Sequence, residues 1–269
     1  MFCNLAADGG NMLLPVSMTH AIWCTLCLTI ADDMARIEYT SEKGMTGMDG
    51  VLEQYDWSFE QISERLAHEG RVTEPDTDDR TRAAVAMILH QGVHDLEILF
   101  IQRAAHDLDP WSGHIAFPGG KLENGEGECQ AACRETLEEI GIDLQQGRYL
   151  GRLSDIVGAN LPVRVSCCLF GVDRMGCRPV LNEEVRELFW VTLSELRDPA
   201  RHVLTGVAFH EKRFEVPAIR LPVDDKPVLW GITYRLVMQF LAVLGDNCVS
   251  GAESCTLPEL VELEEEERP

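Results

Sequence analysis

The sequence predicts a mixed α/β domain in which helices cover both faces of a β-sheet. Three observations predict it. Apolar runs of strand length alternate with helical patterns in the order βββαββ…α. Hydrophobic residues make up 45% of the chain and charged residues 25%, the balance of a chain that folds around a core. Its 269 residues suffice for one or two domains, and no internal repeat is visible.

Each element has a local reason. Trp57 to His68 places Phe59, Ile62 and Leu66 at helical spacing. Residues 70–81 are polar, contain Pro75, and read as a linker. Ala83 to His90 and Leu96 to Gln102 read as strands around a Gln91-Gly92-Val93-His94 turn. A loop from Ala104 to Gly113 leads to a short strand, His114 to Phe117. Gly127 to Ile140 reads as a helix, and Gly141 sits where a left-handed cap ends it. Tyr149 to Ile156 and Pro162 to Val172 are further strands. Trp190 to Leu196 passes from strand to short helix. Val203 to Phe209 and Arg213 to Pro217 form a hairpin, and Ile232 to Leu244 is an apolar helix.

The net charge of −22 excludes a broad surface for nucleic acid or anionic lipid, which needs clustered Lys and Arg. Its distribution is uneven. Residues 1–69 hold eleven acids against three bases, and residues 246–269 hold eight against one. The run Glu264 to Glu267 reads as a solvated tail. The expected organisation is therefore an N-terminal extension over 1–50, a folded domain over 51–246 and an acidic tail over 247–269. The domain's core would begin near Ala83, with helix 57–68 as an N-terminal addition. Residues 13–31 lack Asp, Glu, Lys and Arg, but they contain Pro15, Ser17, His20 and three threonines and no basic residue precedes them. The expectation is no membrane span and a cytoplasmic protein, with an anchor over 13–31 as the alternative. The ten cysteines then read as free thiols. Cys24 and Cys27 form a CxxC pair without a second pair at zinc spacing, and Cys129 and Cys133 read as small packing residues on a helix.

The chemistry concentrates in Gly120 to Ile142. Glu135, Glu138 and Glu139 stand at i, i+3 and i+4, so three carboxylates leave one helical face. Their repulsion costs stability, and a divalent cation relieves it, because hard cations take carboxylate oxygens. Glu126 lies near the start of this helix and can join the group. Arg134 can orient a neighbouring carboxylate through charge-assisted hydrogen bonds. The alternative for such a face is ordinary solvation.

The full pattern resembles the Nudix box, G-x5-E-x7-R-E-U-x-E-E-x-G-U with U a bulky apolar residue. Gly120, Glu126, Arg134, Glu135, Glu138, Glu139, Gly141 and Ile142 match it, and Thr136 departs at the first U. Further stretches are similar to the coenzyme A pyrophosphatase branch of that family. They are Leu99 to Arg103, Gly113 to Gly120, Asn182 to Val185, Phe189 to Val191 and Trp230 to Thr233. The similarity runs from about Ala83 to Leu244. In that branch a second base usually stands between the first Arg and the Gly. Here Ala104 to Ser112 holds no Arg and two Asp, and His114 replaces a Gln.

The resemblance implies an α/β/α sandwich with a mixed sheet and a loop–helix–loop metal-binding box. It implies Mg²⁺ or Mn²⁺ as cofactor and hydrolysis of a diphosphate linked to another moiety. The expected ligands are Glu135, Glu138 and Glu139, with the Gly120 carbonyl and Glu126 in support, and Arg134 as an orienting residue. The general base stays open among these glutamates, Glu183 and Glu184. Arg103, Gly119 and Lys121 are candidate substrate contacts, the glycine because it lets the backbone approach phosphate closely. His106, His114 and Trp111 carry lesser expectations of acid–base chemistry or stacking. Coenzyme A or an acyl-CoA is the favoured substrate. ADP-ribose, a dinucleotide or a nucleoside triphosphate is the alternative, and a non-catalytic binding module is a third reading. The expected partner is the small-molecule substrate, with no nucleic acid, and a homodimer is compatible with these features.

Overall fold

The computed structural model describes residues 57–68, 80–105, 112–157, 163–209 and 212–245, with the side chains of 207–214 left out. The expectations for the extension, residues 13–31, the CxxC pair, the acidic tail, residues 70–79 of the linker, His106 and Trp111 lie outside these residues.

The elements are α1 (Phe59–His68), β1 (Thr81–Gln91), β2 (Leu96–Arg103), β3 (Ile115–Ala116), β4 (Gly119–Lys121) and α2 (Glu128–Ile140). They continue with β5 (Arg148–Arg152), β6 (Ile156–Val157), β7 (Val163–Val172), β8 (Val185–Thr192) and α3 (Leu193–Arg197). The hairpin β9 (His202–Phe209) and β10 (Lys212–Ile219) and the helix α4 (Gly231–Val243) complete them. Strands β1 to β8 form one mixed sheet. Its centre is the parallel pair β1 and β7, registered from Thr81 opposite Val163 to His90 opposite Val172. β2 and β4 flank β1 antiparallel, β5 and β6 flank β7, and β3 and β8 pair with β2.

Helices do cover both faces, and the central strands show why. β7 is buried at all ten positions, the pattern of a strand covered on both sides. One face of the sheet packs Ala84, Ala86, Ile88, Leu99, Ile101 and Cys168 under α2. The other packs Val85, Met87, Leu89, Ile98 and Phe100 under α1, α3 and α4. Ile62 and Leu66 of α1 are fully or almost fully buried in that second layer, so α1 belongs to the packed body.

Three expectations need correction. The strand placed at Tyr149 to Ile156 divides at Arg152, where the Arg152 guanidinium turns back onto Asp155 at 2.5 Å, and β6 resumes at Ile156. The strand before α3 starts at Val185 rather than Trp190, because Val185 to Thr192 pairs along nearly all of β2. The thiols are not all free: Cys129 of α2 and Cys168 of β7 form a disulfide, their Cα atoms 5.7 Å apart. The sheet register turns Cys168 toward α2, and the first turn of that helix brings Cys129 over it.

Candidate active site

The site is built where α2 meets β4. The helix begins at Gly127, whose N–H donates to the side chain of Gln130 at 2.9 Å. It ends at Gly141, whose φ of 69° is the left-handed cap that the sequence predicts, with its N–H on the Leu137 carbonyl at 3.0 Å. Thr136, the departure from the box pattern, is fully buried, and its hydroxyl donates to the Ala132 carbonyl at 2.6 Å. With its polar atom satisfied inside the helix, it fills an apolar place without an orphaned group.

Arg134 is the hub of the box. Its Nε and Nη2 each donate to a Glu126 oxygen at 3.0 Å, Nη1 donates to Glu135 at 2.9 Å and Glu138 at 3.3 Å, and Nη2 also reaches the Lys121 carbonyl at 3.1 Å. These bonds, those to Glu126 first, hold its pKa above the ordinary arginine value. The same contact lowers the Glu126 pKa. Glu126 is therefore committed to Arg134, which fixes the box loop to the helix.

Glu139 lies deepest, 4% exposed, and its Oε2 accepts the Gly119 N–H at 2.9 Å. Burial pushes its pKa up to about 8, against the opposing pull of that amide and of Arg103, while Glu135 and Glu184 push it further up. Glu135 is also raised, first by burial, with Arg134 opposing and Glu138 and Glu184 adding repulsion. Its carboxylate lies against Gly120 so closely that a Cβ there would stand 2.2 Å from Oε1. Glycine is required at 120 because the carboxylate occupies that space. Glu138 is more than half exposed and faces outward.

The structure thus gathers Glu135, Glu139, Arg103 and the Gly119-Gly120 backbone. Lys121 is exposed at the end of β4, and buried Arg103 ends β2 beside Glu139. His114 packs its ring on Trp230 at 5.3 Å. Glu184, one of several carboxylates left open by sequence, comes within electrostatic range of both Glu135 and Glu139. Asn182 was missed. Its N–H donates to the Glu139 carbonyl at 2.9 Å, and its side-chain oxygen accepts the Glu184 N–H at 2.9 Å. It ties the Glu184 backbone to the end of α2, and the Asn-x-Glu turn spacing is the signal that points to it.

Among the described residues, no three His, Cys, Asp or Glu side chains form a closed metal cage. The donor set nevertheless fits a hard divalent cation. Glu135 and Glu139 are desolvated carboxylates with raised pKa values, and their mutual repulsion calls for added positive charge.

Comparison with known proteins agrees with this geometry. The family model for the NUDIX domain matches residues 80–211. An uncharacterized protein of Schizosaccharomyces pombe is 36% identical over 38% of this chain and 33% of its own length. A probable nudix hydrolase of the same yeast is 27% identical over 71% of this chain and 67% of its own. Nudix hydrolase 3 of Caenorhabditis elegans is 26% identical over 67% of this chain and 79% of its own. The chain therefore spans a third of the first relative and about two thirds or more of the other two. Residues 80–211 thus match the NUDIX domain, the domain that two of these relatives' names carry, with every charged position of the box in place.

Proposed function

We propose that this chain is a Nudix hydrolase that cleaves a diphosphate bond in a nucleoside-diphosphate conjugate, with coenzyme A or an acyl-CoA as the substrate class. The products would be 3′,5′-ADP and 4′-phosphopantetheine. The observation that carries the reaction class is the pair of carboxylates, Glu139 buried and Glu135 partly buried, packed on Gly119-Gly120. The coenzyme A assignment rests on the branch-like stretches around the box, from Leu99 to Arg103 and from Gly113 to Gly120.

Glu135, Glu138, Glu139 and the Gly120 carbonyl would hold Mg²⁺ or Mn²⁺, with Glu126 acting through Arg134. Such an ion neutralises charge on the phosphate oxygens and makes the attacking water more acidic. The chain's own residues supply the rest. The Gly119 N–H holds Glu139 in place, and Arg134 holds Glu135 and Glu138. The glycine backbone lets the diphosphate come close, and Arg103 adds positive charge behind Glu139. Water attacks one phosphorus, the bridging oxygen leaves on the other phosphate, and the water's proton passes to a site carboxylate. Glu184 is the candidate for that proton, because it lies within electrostatic range of both Glu135 and Glu139.

The test is turnover with Mg²⁺ or Mn²⁺ on coenzyme A, an acyl-CoA, ADP-ribose, NADH and nucleoside triphosphates, read by product mass. Release of 3′,5′-ADP and 4′-phosphopantetheine supports the proposal. Turnover of another compound without those products removes coenzyme A.

A further inference from the structure

We infer that Thr233, at the start of α4, is a positioning residue: it holds β3, and through β3 the backbone at Gly119 and Arg103. The inference rests on the reading of Glu139 and Gly119-Gly120 as the reacting site and adds a residue that serves it. Residues 230–233 lie beyond the NUDIX match, which ends at 211. The box chemistry gives the stretch Trp230-Gly231-Ile232-Thr233 no role.

The chain from His114 to Gly120 supports two parts of the site. The Gly119 N–H holds Glu139 at 2.9 Å, and the His114 carbonyl accepts the Arg103 N–H at 3.0 Å. Both depend on where β3 lies, and β3 pairs with β2 over only two residues, Ile101 opposite Ala116 and Gln102 opposite Ile115. In an antiparallel pair the bonds toward the partner strand fall on alternate residues. Because the His114 carbonyl bonds β2, Ile115 turns its own N–H and carbonyl away from β2. That carbonyl accepts the Thr233 hydroxyl at 3.3 Å, from a residue 118 positions along the chain.

Thr233 is carried by a fixed helix. It is itself buried, in the first turn of α4, and Leu236, Val237, Phe240 and Leu241 of the same helix are buried in the core layer. The entry to the helix is tied down by Leu229, which exchanges two backbone bonds with Ile219 of β10, at 2.8 and 2.9 Å. Trp230 then sets its ring 5.3 Å from that of His114. The start of α4 thus meets two successive residues, His114 at its ring and Ile115 at its carbonyl. Three residues after Ile115, the Pro118 carbonyl accepts the Ala86 N–H of β1 at 2.8 Å. The segment that ends in Gly119 is therefore pinned at Ile115 by α4 and at Pro118 by β1. Removing the hydroxyl takes a donor from a buried carbonyl and frees the first of these pins.

The experiment is amide hydrogen exchange of the metal-free full chain, read residue by residue by NMR, with Mg²⁺ binding followed by calorimetry. Thr233→Val keeps the shape and removes the hydroxyl, and Thr233→Ser keeps the hydroxyl. Val237→Ala, one turn further along α4, weakens the core packing and leaves the Thr233 hydroxyl in place. In Thr233→Val the Gly119 amide should exchange about tenfold faster relative to the amides of β7, the scale of one lost hydrogen bond to a buried group. Mg²⁺ affinity should fall about tenfold with it, and Thr233→Ser should restore both. Val237→Ala should speed the Gly119 and β7 amides together. An unchanged ratio in Thr233→Val overturns the assignment, and so does the same change of ratio in Val237→Ala. A change of ratio confined to Thr233→Val supports it even if the unmodified protein turns over no diphosphate, an outcome that would count against the hydrolase reading alone.

Discussion

The buried carboxylate of Glu139 makes a prediction that needs no substrate. In the metal-free protein, burial raises its pKa from the ordinary 4.5 to about 8. At 1.36 kcal/mol per unit, that rise corresponds to a ceiling of about 5 kcal/mol. The sign follows from proton binding. Below the unfolded value both states hold the proton, and burial costs nothing. Between 4.5 and 8 the folded state keeps a proton that the unfolded chain releases, so stability falls as pH rises. Above about 8 the full penalty is present. Glu139→Gln keeps the shape and still accepts the Gly119 N–H, but it never ionises. Thermal unfolding in EDTA from pH 5 to 9 should show a downward slope in the unmodified protein that is reduced in the variant. At pH 8 and above the variant should unfold several degrees higher, at roughly 2–4 °C per kcal/mol for a domain of this size. Adding Mg²⁺ should raise the midpoint of the unmodified protein and leave the variant nearly unchanged. Identical pH slopes in the two proteins, with no gain for the variant at pH 8, would refute the reasoning.

Other expectations test separate parts. Gly120→Ala drives a Cβ into the Glu135 carboxylate, so turnover should fall by about 10²-fold, the cost of roughly 1 Å of misplacement. Arg134→Lys removes the fork that holds Glu126, and both activity and thermal midpoint should drop, with Arg134→Ala no better. The Cys129–Cys168 bond closes a loop of sequence separation 39, worth about 4 kcal/mol in the chain-entropy account. Dithiothreitol should therefore lower the midpoint of the unmodified protein and leave Cys129→Ser unaffected. Ile62→Ala should cost about 2–5 kcal/mol, because α1 lies outside the matched family region yet is packed in the core.

The parts of this fold that sequence revealed are those with local causes. The helix α2 is legible from its local pattern between Gly127 and Ile140, and Gly141 marks its end through a left-handed conformation that glycine takes freely. The hairpin β9–β10 and the helix α4 are legible for the same reason. What escaped depends on contacts between distant segments. Cys168 sits in a strand buried on both faces, so no alternation tells which side it faces, and only the register with β1 brings it under Cys129. The first half of β8 carries Arg186 and Glu187 and lacks an apolar strand pattern, yet pairing with β2 makes it a strand. Glu184 enters the site because Asn182 bonds the end of α2, a contact that becomes visible only once Val180 to Glu184 is laid across the helix.

The most direct test of the central claim is the rate of diphosphate hydrolysis at saturating Mg²⁺ in Glu138→Gln and Glu139→Gln beside the unmodified protein. The account predicts that both variants stay folded and lose turnover by orders of magnitude. Full turnover in both would contradict it.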